Sequence, residues 1–84
     1  MSSNGTIPLS VIWAMLDHCA KGYTRKLRTH NWSISYNGKT YPSFPLGEHG
    51  ARKTSTVRIE IGHVRRMARF LGILDCAKGQ IPNL

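Results

Sequence analysis

The run Arg25-Lys26-Leu27-Arg28-Thr29-His30-Asn31-Trp32 gathers the residues of this chain best suited to chemistry. His30 is a side chain of the one common type that titrates near neutral pH, and it stands among two arginines and a lysine, just ahead of Asn37-Gly38. Cutting an RNA strand through its own 2′-hydroxyl requires removal of a proton and stabilisation of a phosphorane whose negative charge grows. An imidazole supplies the first and neighbouring guanidinium groups the second, with no metal ion. The same residues also make an ordinary basic strand. Simple alternation puts His30 on the side of Trp32 and Ile34, the expected core face. A working His30 therefore needs a bulge at Thr29 or a place at the sheet rim.

A second candidate is His49, in the glycine-flanked loop Pro45-Leu46-Gly47-Glu48-His49-Gly50, since such loops carry function more often than core positions do. His18 and His63 read as surface or structural residues. Cys19, Cys76 and the histidines show no paired zinc spacing, so no metal site is expected. Glycine-rich phosphate loops and serine-nucleophile elbows are missing from the sequence as well, and no cofactor is expected.

Charge narrows the class of partner. Twelve Lys and Arg against four Asp and Glu give a formal net charge of +8. Eleven of those cations lie between Lys21 and Arg69, a stretch with only Glu48 and Glu60 as acids. That surplus points to a polyanion, either nucleic acid or an acidic protein. Arg25, Lys26, Arg28, Arg52, Lys53, Arg58, Arg65 and Arg69 are the expected phosphate contacts; the bland reading is a solvated basic shell. The longest apolar stretch, Ile7 to Leu16, is broken by Pro8 and Ser10 and followed by Asp17 and His18, so no bilayer span is expected. With no secretory leader evident, the expected compartment is the cytosol. Its reducing conditions would keep Cys19 and Cys76 as partly buried thiols, although the two could pair.

These residues must be positioned by one small domain, because 84 residues build a single modest core. Thr6 reads as a helix cap and Pro8 as a first-turn residue. Leu9, Ile12, Trp13 and Leu16 then repeat at helical spacing, predicting a helix near 8–21 that stops at Gly22. Tyr23 to Leu27 reads as a short strand. His30 to Tyr36 alternates, and Asn37-Gly38 predicts a tight hairpin into Lys39–Phe44, with Pro42 marking that strand as irregular or edge-like. Pro45 to Ser55 reads as loop. A second helix is predicted near 60–72 from Ile61, Val64, Ala68 and Leu71, closed by Gly72, with Ile73-Leu74 folding back. The expected architecture is an α+β sandwich of α-β-β-β-α order. Two helices cover one face of a three-stranded antiparallel sheet, and the other face stays open and basic. Trp13, Leu16, Ile34, Val64, Ala68 and Leu71 should form its core. Order is expected over about 6–75, with loose termini that include Lys78 to Leu84.

Three stretches carry a family likeness. Gly22-Tyr23 follows the first helix; His30 stands eight residues before Gly38; Ile61 to Ile73 forms a helix that starts near a glycine and ends in Gly72-Ile73. Over roughly Leu9 to Ile73 the chain thereby resembles the HicA-type toxins of bacterial toxin–antitoxin pairs. The resemblance implies a fold similar to double-stranded RNA-binding domains and metal-independent cleavage of mRNA. It also implies His30 as the active-site histidine and an acidic antitoxin of the HicB type as partner. The chain departs from the family pattern in having Arg28-Thr29 where a small Gly-Ser pair is usual. It also has a longer segment before the last helix, where His49 only loosely matches a proline-histidine element. A non-catalytic nucleic-acid-binding regulator, or an adaptor of the same fold, is the alternative from a different class.

Overall fold

The computed structural model describes residues 5–46 and 57–84. Its elements run β1 (Thr6–Pro8), α1 (Leu9–Cys19), β2 (Thr24–Leu27), β3 (Asn31–Tyr36), β4 (Lys39–Pro45), β5 (Arg58–Glu60), α2 (Ile61–Leu71) and α3 (Leu74–Gln80). The expected α+β architecture holds: β2, β3 and β4 form a three-stranded antiparallel sheet in that order, backed by helices.

The β3–β4 hairpin follows from local backbone chemistry. Asn37 has φ 54° and Gly38 φ 81°, the two positive values that a type I′ turn demands. Nothing lies within 4 Å of a Cβ built on Gly38. Gly38→Ala should therefore cost only the backbone term, roughly 1–2 kcal/mol for a non-glycine residue held left-handed. Urea unfolding measures it, and a loss near zero would mean that the turn can relax to another type. Within the hairpin, Ile34 faces Tyr41 but Trp32 faces Phe44, so β4 carries one extra residue at Pro42-Ser43. Proline has no N–H to donate, and a bulge on an outer strand accommodates it.

Alternation then sorts the side chains. Trp32, Ile34 and Tyr36 share the helix-side face, while Thr24 and Lys26 share the open face with Ser33, Ser35 and Thr40. From α1, Trp13 sets its ring edge-on against Trp32 at 5.1 Å and lies 6.3 Å from Phe44. Helix α2 packs on β4, with Phe70 5.5 Å from Tyr41. All six expected core residues, Trp13, Leu16, Ile34, Val64, Ala68 and Leu71, are buried. Gly72 (φ 77°) ends α2, and the Ile73 N–H donates back to the Ala68 carbonyl at 2.9 Å.

Four expectations change. Thr6 does not cap α1; it lies in β1, which pairs with β5, and its Oγ1 accepts a 2.7 Å hydrogen bond from Arg58 Nε. Residues 74–84, partly expected to be loose, form α3 and a closing turn, with Ala77, Ile81 and Leu84 buried. That helix brings Cys76 to the end of α1, where it forms a disulfide with Cys19 across a Cα–Cα distance of 5.7 Å. The two are therefore not reduced thiols. Lastly, Pro45 belongs to β4, and the rest of the expected loop from residue 47 lies outside the described residues. Among the described residues no helix is long and apolar enough to cross a membrane.

Candidate nucleic-acid interface

Strand β2 ends at Leu27, and β3 begins only at Asn31. The Arg28 N–H donates to the Asn31 carbonyl at 2.8 Å, which closes the reversal through Thr29-His30. His30 thus leaves the alternation before it can reach the core face, and sits exposed at the sheet rim. Leu27 (61% exposed), Arg28 and Thr29 line an open hollow of about 500 Å³ beside it. Asn31 faces Pro45, so the end of β4 reaches this same end of the sheet. Beyond it, His49, Arg52 and Lys53 lie outside the described residues.

Arg25 is held differently. It faces Ile34 across the ladder and so projects to the helix side, where its guanidinium lies 4.3 Å from the Trp13 ring centre, 5.8 Å from Tyr23 and 5.9 Å from Trp32. It also donates a hydrogen bond to the Tyr23 hydroxyl. Cation–π attraction to three rings fixes this arginine on its own protein. Burial raises the Tyr23 phenol above its ordinary value of 10.0, and Arg25 beside it pulls the other way.

Among the described residues, the remaining cations do not converge on one face. The open face of the sheet, expected to be basic, carries hydroxyls: Ser35 and Thr40 bond each other at 2.9 Å, and Lys26 is the cation that the described strand residues place there. Arg58 is clamped to Thr6 through its side-chain and backbone oxygens, and Arg65 Nε donates to the Leu84 carbonyl at 3.2 Å. Arg66 and Arg69 are exposed on α2, which packs on β4. Strand β3 intervenes between β4 and β2, a separation of roughly 10 Å at about 4.8 Å per strand. The structure therefore brings Lys26, Arg28 and His30 to one hairpin, while Arg69 lies on a helix behind the other sheet edge. Arg25, Arg58 and Arg65 make internal contacts.

Trp13 reads in sequence as core filler, and the structure adds a second part for it as a platform for Arg25. The alternation of β2 carries a usable signal, since it sets Arg25 and Leu27 on one side and Thr24 and Lys26 on the other. The approach of Trp13 to that side depends on tertiary packing. Comparison with protein-family models, with curated proteins and with solved structures finds no match for this chain.

Proposed function

We propose that the chain binds RNA at the end of the β2–β3 hairpin and cuts the bound strand there without a metal ion, through His30. The observation that carries this reading is the rim position of His30, exposed and two residues from Arg28, where alternation alone would have turned it into the core. In the proposed step the neutral imidazole takes the proton of a 2′-hydroxyl, and the freed oxygen attacks the adjacent phosphorus. The 5′-oxygen of the next nucleotide leaves, taking up a proton from the imidazolium or water, and a 2′,3′-cyclic phosphate remains. Arg28 stabilises the charge on the phosphorane, and Lys26 holds a flanking phosphate. The likeness to HicA-type toxins supports the same assignment. It adds mRNA as substrate and an acidic HicB-type antitoxin as partner, while the Cys19–Cys76 disulfide runs against the reducing cytosol that the family would imply.

The reading from a different class is a non-catalytic binder of the same fold, in which the exposed His30 is one more contact beside Lys26 and Arg28.

The binding half of the proposal is tested by salt. Each phosphate contact on a single strand contributes about 0.7 to the slope of log affinity against log salt, so Lys26→Ala with Arg28→Ala should flatten it by about 1.4. Arg58→Ala and Arg65→Ala, which remove internal contacts, should leave the slope in place. A slope indifferent to the Lys26 and Arg28 substitutions would move the RNA site elsewhere.

A further inference from the structure

The two outer strands of the sheet are finished differently. β4 carries Pro42 and a bulge, two features that discourage another strand from pairing with an edge. β2 carries neither, and all four of its residues are exposed. Among the described residues it pairs with β3 alone. The Arg28 N–H bond to the Asn31 carbonyl sets the phase of the β2–β3 ladder. Antiparallel pairs alternate between bonded and non-bonded, so Thr24, Lys26 and Arg28 bond to β3. Arg25 and Leu27 then direct their backbone N–H and C=O groups away from the sheet.

We propose that this edge accepts an extended, acidic segment of a partner protein as a fourth strand. The outward backbone groups of Arg25 and Leu27 repeat every second residue, the spacing at which a peptide strand answers them. A residue seated opposite Lys26 shares the open face and is best a carboxylate. One seated opposite Leu27 shares the helix-side face and is best apolar, covering a side chain that is 61% exposed beside the hollow it lines with Arg28 and Thr29. The recognised segment therefore alternates acidic and apolar residues. A second copy of this chain fits less well, because pairing β2 with itself sets Lys26 and Arg28 against their own like charges. RNA offers phosphates to the cations but no backbone matched to the edge donors and acceptors. The proposal stands independently of RNA cleavage.

The test is amide hydrogen exchange by NMR on the full chain, with a short synthetic peptide of alternating glutamate and valine as probe. In the free protein the Arg25 and Leu27 amides exchange quickly. Saturating peptide should slow both by about tenfold or more, as expected when an open amide gains a hydrogen bond, and leave Thr24, Lys26 and Arg28 unchanged. N-methylating alternate peptide residues should separate the two edges of the added strand. One phase of methylation should weaken binding at least about tenfold and the other should hardly matter. Equal tolerance of both phases would overturn the proposal. Protection of the same two amides by an oligoribonucleotide, or by raising the protein concentration alone, would overturn it in favour of RNA or of self-pairing.

Discussion

Replacing Cys19 and Cys76 together with alanine should lower the free energy of unfolding by about 4 kcal/mol. The bridge joins positions 57 residues apart, and chain-entropy loss in the unfolded state grows with the length of such a loop. Against the roughly 5–15 kcal/mol that holds most domains folded, this is a large share. The loss should show first at α3. A seven-residue helix is too short to stand alone, and Ala77 is the residue that it buries. Without the bridge, α3 and its flanks keep the buried Ile73, Ala77, Ile81 and Leu84, the half-buried Leu74 and the Arg65 bond to the Leu84 carbonyl. Urea unfolding of the double variant, with hydrogen exchange along residues 74–80, measures both effects. A stability difference below about 1 kcal/mol would mean that the unbridged unfolded chain is already compact. Adding a thiol reductant to the native protein should reproduce the result for the alanine variant.

His30→Ala is expected to lower RNA turnover by about 10²–10⁴-fold, the usual loss when a general base is removed. Binding should change far less, because in the proposed complex the phosphate contacts are assigned to Lys26 and Arg28. Folding should not suffer either, since the side chain is exposed in the β2–β3 connection and supports no core contact. Arg28→Ala should slow cleavage as well as weaken binding, through lost stabilisation of the phosphorane. Single-turnover measurements at saturating protein separate the two effects. Undiminished turnover by the His30→Ala chain would leave a binding module and remove the enzyme.

What could be read from the sequence was whatever a few neighbouring residues decide among themselves. Asn37-Gly38 specifies its turn because both positions need positive φ, and the structure has that turn. The helical stripes of Leu9–Leu16 and Ile61–Leu71 give the core, since apolar spacing alone decides which side packs inward. Pairings made at a distance were not legible. Thr6–Pro8 with Arg58–Glu60 is a three-residue match across half the chain, too short to leave a pattern in either segment. Leu74–Gln80 contains Asp75 and Gly79 and buries Ala77, so no amphipathic stripe announces a helix; the preference for reduced Cys19 and Cys76 rested on the expected compartment, and it is this helix that brings the two together. The site divides in the same way. Residue types pointed to Lys26, Arg28 and His30, but the period of Trp32, Ile34 and Tyr36 extends backward over His30 without revealing that the chain has already reversed. That Arg25, Arg58 and Arg65 are engaged by Trp13, Thr6 and Leu84 depends on tertiary contacts that charge counting cannot see.

The most direct measurement uses an oligodeoxynucleotide carrying a single ribonucleotide, incubated with the purified chain in excess chelator. Only that position has a 2′-hydroxyl to attack. The expected result is one cut immediately after the ribonucleotide, a 2′,3′-cyclic phosphate on the upstream fragment, and no cut by the His30→Ala chain. Cleavage at deoxynucleotides, cleavage only when magnesium is restored, or equal cleavage by the His30→Ala chain would contradict the assignment of His30 as the base of a metal-independent ribonuclease.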